Sequence, residues 1–468
     1  MPVDTPHPAY VPHEKRARRV RDAVEGTDAI KGASTLYLPH PVAGWRQLEG
    51  ELLTEAIERY KAYLERATWL GVTGRTHEGM LGAVFRKAAQ VQVPSPLEYM
   101  LEDADGSGMS LEQFSKMVVT ATIQAGRAGV LVDYPEAPDG LTVEQTAGMS
   151  ATLRFYDSSS IINWKREGET LTLVVLAETY EAGADEFDHK PETQHRVLRL
   201  EDGVYTQQVW RDRQPVGEKV MPRQADGSVW PIIPFQFVGA KNNDEVPDKP
   251  LLLDIADLNI AHYRNSADLE EGSFLCGQPM LHVDIGEMPA DQWRELNPNG
   301  IAIGSRRGVQ TQGGSMSMVQ AEERNLPLSL MEQKERQMLA IGARLIEQRG
   351  GNQTAEEVRA KSGAENASLS SVAGNVSDAI ENALEWAMYF MIGAVDTDEI
   401  VFELNQQFYP EEADPQEIMA RMQELDRGLI AKSDYRDWRR RTGGIDPERQ
   451  DEEIDDEVTS QGTAIGVI

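Results

Sequence analysis

Apolar residues recur along this chain with two different periods. In 45–70, 111–126 and 368–393 they return every three or four residues, which is the spacing of one helix face. Between about 151 and 238 they alternate with polar residues or form short runs between Asp/Gly turns, which is typical of strands. The pattern therefore predicts a mixed α/β (α+β) fold in which a β-rich segment lies between helical ones.

The helices expected before the β-rich segment differ in how clearly they are bounded. The 45–70 segment has one apolar face and predicts a helix, whereas the Gly-punctuated 71–87 segment predicts either a turn or a short helix. A further helix is expected to start after Ser110, an N-cap residue, and to end at Gly126, a C-terminal cap. The first 44 residues, Pro-rich and then basic, are expected to be a loose arm.

The predicted strands begin directly after this third helix. The stretch RAGVLVDYP is a short apolar run closed by Tyr-Pro and predicts a buried strand. The later stretches with a strand pattern are TLRFYD, TLTLVVLAETYE, HRVLRLEDGVYTQQVW and WPIIPFQFVG. Together they predict a β-rich subdomain that extends to about residue 238.

Helical spacing returns at Pro250 and is followed by a small insert. Residues 251–274 predict a helix of about 24 residues, roughly 36 Å long at 1.5 Å per residue. In the insert, the predicted strands QPMLHVDIG and GIAIGSRRGVQ flank the short helix PADQWREL. A polar joint containing Gly and Met, at 311–321, closes this αβ insert.

Two more helices and a mixed tail are predicted after the insert. The first helix has Asn325 as its N-cap and Pro327 in its first turn, and it stops at Gly350-Gly351. A polar connector or short helix, GNQTAEEVRAKSGAENAS, precedes the amphipathic helix at 368–393, whose apolar stripe is typical of a core face. The tail contains the strand-like EIVFEL at 399–404, a helix at about 415–427 and an acidic end that is expected to be disordered.

Charge is the strongest signal in the composition. The 468 residues include 77 acidic and 46 basic ones, which gives a formal net charge of −31 at pH 7. Because such a surface repels phosphate, a protein that grips nucleic acid over a broad face is disfavoured. The two basic clusters, EKRARRVR at 14–21 and RDWRRR at 436–441, are typical of solvated helix faces.

Membrane insertion, secretion and disulfide chemistry find no support in the sequence. The longest apolar run, WAMYFMIGAV at 386–395, is about half of a membrane span, and the N-terminus has no apolar signal-peptide core. The single cysteine, Cys276, excludes an intramolecular disulfide and a Cys-based zinc cluster. We therefore expect the protein to stay in the cytoplasm of the cell that makes it.

The stretch LEDADGSGMSLEQF, at 101–114, is similar to a calcium-binding loop in its first half only. Asp103, Asp105, Ser107 and Gly108 fill positions 1, 3, 5 and 6 of an EF-hand loop, but Phe114 stands where position 12 requires a bidentate Glu. The same residues predict a tight turn followed by an N-capped helix. We prefer the interpretation as a turn.

No common catalytic motif is present. The chain lacks the phosphate-binding G-x-x-x-x-G-K-[ST], a dinucleotide-binding G-x-G-x-x-G after a strand, H-E-x-x-H and G-x-S-x-G. The carboxylate pairs Asp103/Asp105 and Asp455/Asp456 are the candidates for a two-metal nuclease site. We expect neither an enzyme nor a cofactor, and a metal-dependent nuclease or calcium-binding module remains an alternative.

A series of segments in a fixed order carries a family resemblance. They are YKAYLERATWLGVTGRTHEGMLGAVFRK (60–87), DADGSGMSLEQF with GRAGVLVDYP (126–135), YDSSSIINW (156–164) and TAEEVRAKSGAENASLSSVAGNVSDAIENALEW (354–386). Their order, over most of 45–395, resembles that of the portal proteins of tailed bacteriophages, in particular a siphophage-type branch. The order of the series carries the resemblance, since no single segment is diagnostic.

This resemblance implies a phage portal fold with a wing, a helical stem, a small αβ clip and a short C-terminal crown. The implied domains are a loose N-terminal arm at 1–44, a wing at 45–250, a stem helix at 251–275, a clip at 276–325, a second stem helix at 326–348, a tunnel-loop region at 349–367, a wing helix at 368–395 and a crown with an acidic tail at 396–468. The tail is shorter than in larger portals, so a long C-terminal helical barrel does not follow.

The resemblance also implies a function and a set of partners. About twelve copies would form a ring at one capsid vertex, through which DNA is packaged and later ejected. The implied partners are the terminase large subunit, capsid and scaffold proteins, a head-tail adaptor, and double-stranded DNA that passes without sequence-specific binding; no membrane is involved. The protein would be assembled in the host cytoplasm and end in the virion. At −31 per copy such a ring carries on the order of −370 formal charges, which keeps DNA from sticking.

A few cations at a constriction are the candidates for contact with DNA. They are Lys334 and Arg336 on the second stem helix and Arg359 and Lys361 in the tunnel-loop region. An interpretation of all four as ordinary solvated helix charges stays open. The remaining alternatives are another phage head-completion or adaptor protein, and the metal-dependent nuclease or calcium-binding module named above.

Overall fold

The computed structural model describes most of the chain. The described residues are 1–135, 149–183, 185, 187–277, 280–298, 312–319, 326–346, 355–394, 396, 399–406, 408, 415–441, 444–445 and 449–460. They form helices and antiparallel sheets in one chain, so the predicted mixed α/β class is confirmed.

The helices are numbered in chain order. Their bounds are α1 Tyr10–Glu25, α2 Thr27–Gly32, α3 Gly50–Arg66, α4 Val72–Val84, α5 Leu111–Ala125, α6 Leu253–Cys276, α7 Ala290–Leu296, α8 Leu326–Ile346, α9 Ala355–Met391, α10 Pro415–Asp426, α11 Lys432–Arg441 and α12 Asp451–Ser460. Short 3₁₀ helices lie at Ser34–Leu36, Trp45–Gln47 and Ser95–Leu101. None of the described helices combines the length and apolarity that crossing a lipid bilayer requires.

The strands are numbered in the same way. Their bounds are β1 Gln90–Gln92, β2 Arg127–Asp133, β3 Thr152–Asp157, β4 Ile161–Glu167, β5 Thr170–Glu181, β6 Pro191–Glu201, β7 Val204–Arg211, β8 Gln214–Val220, β9 Phe235–Gly239, β10 Met280–Val283, β11 Met316–Val319 and β12 Val401–Glu403. All pairings between these strands are antiparallel.

Two sheets make up the β-rich part of the body. Strand β2 is the centre of a three-stranded sheet in the order β3–β2–β9, and it is buried along nearly its whole length. That burial explains why its sequence is a continuous apolar run and not an alternating one. Strands β4 to β8 form a second sheet in sequence order, as a meander of hairpins. Gly129 in β2 is required by close packing, since a Cβ there would lie 2.4 Å from the Phe235 ring.

Helix α5 lies at the centre of the core and begins and ends as the sequence predicts. Ser110 Oγ accepts a hydrogen bond from the Gln113 N–H at 3.2 Å, and Gln113 Oε1 accepts one from the Ser110 N–H at 3.3 Å, which forms a capping box. Gly126 ends the helix with φ +69°, a conformation that glycine adopts without a Cβ clash. The helix then turns directly into β2.

The apolar stripe predicted on 368–393 is a core face. Leu369, Val372, Val376, Ile380 and Leu384 are all buried, and this part of α9 packs against α5, β2 and β9. The helix begins earlier than predicted, at Ala355, so the backbone of 355–367 is helical although a connector or short helix is expected there. Because that stretch is rich in polar residues, its sequence has no apolar stripe that would indicate a helix.

The N-terminal segment is not the loose arm that the sequence predicts. It forms α1, whose residues His13, Ala17, Val20 and Ala23 are buried against α4, α5 and α6. The apolar positions have helical spacing, but they are small and lie among five arginine and lysine residues in EKRARRVR, so the pattern is weak.

The first nine residues are also bound to the body. The His7 N–H donates to the Ile162 carbonyl at 2.8 Å, Asn163 Nδ2 donates to the Thr5 carbonyl at 2.8 Å, and the His7 ring stacks on Trp164 at 4.1 Å. This segment therefore lies along β4 and occupies part of an exposed sheet edge.

The remaining sequence predictions divide into three groups. Helices at 251–274, 326–348 and 415–427 and strands at 127–135 and 399–404 are confirmed to within two residues at each end. Strand β11 lies inside the predicted polar joint, β4 and β8 were not predicted, and the acidic end contains α11 and α12 where disorder is expected. The predicted strand GIAIGSRRGVQ, Asn325 and Gly350-Gly351 lie outside the described residues.

Candidate functional site

Helices α6 and α8 form an antiparallel pair. His262 Nε2 lies 3.0 Å from Glu335 Oε1, and Lys334 Nζ donates to Asn265 Oδ1 at 2.6 Å. Residue numbers rise along α6 while those of their partners fall along α8, which shows that the helices run in opposite directions. We call the end formed by the last turn of α6 and the first turn of α8 the outer end, and the opposite end the inner end.

The inner end of α6 is fixed by buried polar contacts. The Asn259 carboxamide oxygen accepts from the Thr73 N–H at 3.2 Å and from the Thr73 hydroxyl at 3.0 Å, and its NH₂ donates to the Leu70 carbonyl at 2.8 Å. Ser266 Oγ accepts from the Thr68 N–H at 3.1 Å. Because Asn259 is fully buried, its contacts would be costly to break and they fix the rotation of α6 in the body.

Charged contacts along one side of α6 extend this anchoring toward its second half. Arg19 on α1 donates to Asp257 at 2.7 Å, the Tyr63 hydroxyl on α3 donates to Asp268 at 2.7 Å, and Arg66 on α3 pairs with Glu271. Burial raises the pKa of Tyr63, and the hydrogen bond to the Asp268 carboxylate raises it further. The body therefore holds α6 as far as its fifth turn.

The outer end of the helix pair, in contrast to the inner end, exposes apolar side chains. Large apolar side chains on the last turn of α6 and the first turn of α8 are exposed, namely Phe274, Leu275, Leu326 and Leu328. The Arg66 guanidinium lies 4.3 Å from the centroid of the Phe274 ring. These exposed apolar side chains lie at the end of the helix pair from which the insert extends.

The described part of the insert at the outer end consists of α7 and the antiparallel strand pair β10–β11. Leu281 pairs with Met318 and Val283 with Met316 across this strand pair. Every insert residue whose side chain is described is at least partly exposed, including Leu296 and Met316. A two-stranded hairpin is marginally stable by itself, so an insert without buried side chains among its described residues is expected to gain order from contact with other chains.

The structure separates the four predicted DNA-contacting cations. Lys334 is directed to Asn265 on α6, and burial lowers its pKa. Arg336, two positions later and so about 200° around the helix, is exposed and lies 4.0 Å from Glu332 on its own helix. Lys334 and Arg336 therefore lie on different faces of α8. Arg359 and Lys361 lie on the helical backbone at the start of α9, and their side chains are outside the described part of the structure.

The Asp103 loop is a hydrogen-bonded turn before α5. Asp103 Oδ1 accepts from the Gly108 N–H at 2.8 Å, and Asp105 Oδ1 accepts from the N–H groups of Ser107 at 2.9 Å and Met109 at 3.1 Å. Burial opposes ionisation of Asp105, but the hydrogen bonds from Ser107 and Met109 outweigh it and lower the pKa of this carboxyl. The carboxylates thus satisfy backbone donors, as the turn interpretation expects.

The second predicted carboxylate pair lies in a network of ion pairs. Asp455 on α12 pairs with Arg436 on α11, which also lies 3.6 Å from Asp451. These bonds join α11 to α12. In the part of the chain that the structure describes, no group of three or more His, Cys, Asp or Glu side chains is placed to hold a metal ion.

Sequence reasoning missed the residues that anchor the helix pair. Asn259, Ser266 and Thr73 are polar residues within helical patterns, where such residues are usually solvated. Their role depends on a partner nearly 190 positions away for Asn259, so no local pattern reveals it. The exposure of the insert has no local signal either, since its alternating apolar residues are equally typical of a half-buried hairpin.

A family model matches this same region. It is described as a domain of unknown function, DUF4055, and it matches residues 250–391, which run from α6 through the insert and α8 to the end of α9. No curated protein matches the sequence.

Several solved structures contain chains that are similar to this one at low identity. A chain in the neck of an empty gene transfer agent (GTA) particle, computed with C6 symmetry, is 14% identical, with a TM-score of 0.39 over 80% of this chain and 90% of that chain. A chain in the virion of a native GTA particle is also 14% identical, with a TM-score of 0.37 over 78% of this chain and 88% of that chain. At these values the likeness carries no conclusion about the role of this chain.

Proposed function

We propose that this protein is a portal subunit of a tailed bacteriophage or a related particle. About twelve copies form a ring at one capsid vertex, through which double-stranded DNA is packaged and ejected. In this proposal α6 and α8 are the stem, the insert is the clip that meets the terminase large subunit and later a head-tail adaptor, and the body is the wing. The protein acts in the virion and catalyses no reaction.

One observation carries the proposal in addition to the sequence resemblance. The α6–α8 pair is anchored by buried contacts at its inner end and has exposed apolar residues and an insert without described buried side chains at its outer end. A monomeric protein gains nothing from such an extension, because exposed apolar surface costs free energy in water. In a ring, neighbouring copies cover this surface.

The charge of the chain supports a bore that DNA passes and does not bind. The formal charge of −31 per copy repels phosphate over most of the surface. Among the four candidate cations, Arg336 is the best placed to reach a bore, since it is exposed on the face of α8 away from its contact with α6. Lys334 instead stabilises the helix pair.

The direct test is to image the purified full-length protein in solution. We expect annular particles with a central hole by electron microscopy, and a native mass near twelve times 52.0 kDa, about 620 kDa. Only monomers or dimers at high protein concentration, both with and without the cognate scaffold protein, would contradict the proposal.

A pair of variants tests the assignment of the insert as the clip. Leu296→Asp combined with Met316→Asp places two charges on the exposed apolar surface of the insert, and we expect binding of the terminase large subunit to weaken by about tenfold or more, about 1.4 kcal/mol or more. The control is Val216→Asp, which changes an exposed apolar residue on β8, away from the insert. Equal terminase binding by rings of the double variant and of the control would exclude the insert as the clip.

A further inference from the structure

The first nine residues form a segment, which we call the strap, that helps to cover a small apolar cluster on the five-stranded sheet. Ile162 on β4, Val175 on β5 and Val197 on β6 are buried together in a cluster separate from the main core. Val3 of the strap and Tyr10, the first residue of α1, pack against this cluster. The strap therefore supplies part of the cover that keeps these three side chains from water.

The strap is held to the sheet in a way that allows it to detach. Its three prolines, Pro2, Pro6 and Pro8, have no N–H, so the strap cannot form a continuous ladder of hydrogen bonds with β4. Asp4 accepts hydrogen bonds from Arg213 at 2.8 and 3.0 Å, but this ion pair is exposed and contributes little. Release of such a segment does not require the body to unfold.

His7 makes the central contacts of the strap, and they require its neutral form. The His7 N–H donates to the Ile162 carbonyl at 2.8 Å, and His7 Nδ1 accepts a hydrogen bond from the Ala9 N–H at 3.2 Å. The second bond needs the lone pair of Nδ1, which a proton would occupy. Because Ala9 is the residue directly before α1, protonation of His7 loosens the strap where it joins the helix.

A buried cation lies behind the ring on which His7 stacks. The His7 ring centroid lies 4.1 Å from that of Trp164, and the Arg127 guanidinium lies 4.0 Å from the Trp164 centroid. Two groups this close to one centroid would overlap on a single face of the indole, so they lie on opposite faces. Arg127 is only 3% exposed, so water screens its charge weakly. A positive charge on His7 is therefore repelled across the Trp164 ring.

The surroundings of the bound strap disfavour a charged His7. Burial lowers the pKa of His7, and the Arg127 charge lowers it further. The carboxylates of Glu14 and Asp157, beside Tyr10, are both paired with Arg21, so their charges are already compensated. The charged and titratable groups on the elements around the strap are Arg127 on β2, His13, Glu14 and Arg21 on α1, Asp157 on β3, His195 on β6 and Arg213 in the β7–β8 turn.

We propose that the strap is an acid-released cover, in which protonation of His7 detaches residues 1–9 from β4 and exposes the apolar cluster of Ile162, Val175 and Val197. A histidine that binds a proton more weakly in the bound strap than in the released one favours release as the pH falls below about 6.5. The body stays folded, because α1 is held by its own buried residues. The proposal does not depend on ring formation, because both parts belong to one chain.

Amide hydrogen exchange at two pH values tests the release. Protection factors, which correct for the intrinsic pH dependence of exchange, are measured in the full-length chain for a peptide covering residues 3–10 at pH 7.5 and pH 5.5. We expect the protection to fall about three- to tenfold at pH 5.5, because a released histidine with a pKa near 6.5 is mostly protonated there. Equal protection at the two pH values overturns the proposal.

Two variants at position 7 test whether this histidine is the group that titrates. His7→Asn keeps an acceptor for the Ala9 N–H, and His7→Phe keeps a ring on Trp164, but neither takes up a proton. Both are expected to be protected equally at pH 7.5 and pH 5.5. A loss of protection in His7→Asn as large as in the natural chain overturns the proposal.

The control variants remove the other histidines near the strap. His13→Gln and His195→Gln are both expected to keep the loss of protection at pH 5.5 that the natural chain shows. Thermal melting at both pH values confirms that the variants are folded. If either control abolished the loss, the titrating group would not be His7, and the proposal would be wrong.

An apolar dye shows whether the strap covers the cluster. A chain that lacks residues 2–8 is expected to give about twofold or more Nile red fluorescence than the natural chain at pH 7.5, because the cluster is then exposed. The natural chain is expected to approach this value at pH 5.5. Far-UV circular dichroism confirms that both chains stay folded. Equal fluorescence of the two chains at pH 7.5 would show that the strap covers no apolar surface, which overturns the proposal.

Discussion

Two aromatic residues on the same helix show how differently the two ends of the α6–α8 pair are built. Tyr263, at the inner end, is fully buried and lies edge-on to Trp69 with ring centroids 5.9 Å apart. Phe274, three turns later, is 42% exposed, and the Arg66 guanidinium lies 4.3 Å from its ring centroid. One helix therefore passes from a packed core into a surface that the described residues of the chain leave exposed.

This difference shows which contacts of the α6–α8 pair form within one subunit. At the inner end, apolar packing and the hydrogen bonds of Asn259 fix the helix within one subunit. At the outer end the exposed apolar residues have no such partners among the described residues. If the proposed ring is correct, the second set of contacts forms only on assembly, and the two ends should respond differently to mutation.

The largest expected effect comes from removing the buried aromatic ring. Tyr263→Ala leaves a cavity beside Trp69, and we expect the free energy of unfolding to fall by about 3–5 kcal/mol. Phe274→Ala, the matched change at the outer end, is expected to lower it by no more than about 1 kcal/mol. Urea unfolding of both variants at low protein concentration measures the difference. Similar losses would mean that the outer end is as well packed as the inner end.

A smaller effect is expected from the two asparagines of α6. Asn259→Ala leaves the Thr73 N–H, the Thr73 hydroxyl and the Leu70 carbonyl without a partner in the core, which costs about 2–3 kcal/mol. Asn265→Ala removes one bond to the Lys334 ammonium, which can turn to water, and costs about 0.5–1 kcal/mol. The same urea titration measures both. If Asn265→Ala proved the more destabilising, the contact between α6 and α8 would be the true anchor.

Features of the fold that depend on residues close in sequence were predictable, and features that depend on residues distant in sequence were not. Helix α5 was predictable at both ends because Ser110, Gln113 and Gly126 act on their immediate neighbours. Helix α6, strand β10 and helix α7 were predictable as elements, since their periodicity is local. The anchoring role of Asn259 was not, because it depends on Thr73 and Leu70, which come together with it only in the fold.

The same reasoning explains the errors at the two ends of the chain. Helix α1 was missed because its buried positions are small or polar, such as Ala17 and His13, and become a core face only when α5 and α6 pack on them. Helix α12 was missed because its many carboxylates suggest disorder, whereas Asp451 and Asp455 are paired with Arg436. In both cases the deciding contacts are made with residues that sequence periodicity does not identify.

Lowering the pH should reduce the stability of the body more than it affects the outer end. Burial lowers the pKa of His13, whose Nε2 lies 2.7 Å from the Ala125 carbonyl, so the folded chain takes up a proton at this residue only at a lower pH than the unfolded chain does. The unfolded chain takes up a proton at this residue below about pH 6.5, which means that stability is lost as the pH falls through that value. We expect a shallower loss of melting temperature between pH 7.5 and pH 5 in His13→Gln.

The control for the acid effect is His282, which is exposed in the insert. His282→Gln should melt with the same pH dependence as the natural protein. The comparison concerns the slope against pH and not the absolute melting temperature, because His13→Gln also loses the contact with Ala125. Identical slopes in all three proteins would show that protonation of His13 does not contribute.

The smallest effect on the isolated chain is expected from the insert, and it is the most informative about assembly. Leu296 is 56% exposed, so Leu296→Ser should change the free energy of unfolding of the dilute protein by less than about 0.5 kcal/mol. If neighbouring copies cover Leu296, the same change removes apolar contact from the assembled state only. Its melting temperature should then fall below that of the natural protein as the concentration is raised, since association stabilises by mass action. A melting temperature that matches the natural protein at every concentration would show that Leu296 stays in water, and the difference between the two ends would then reflect monomer packing alone.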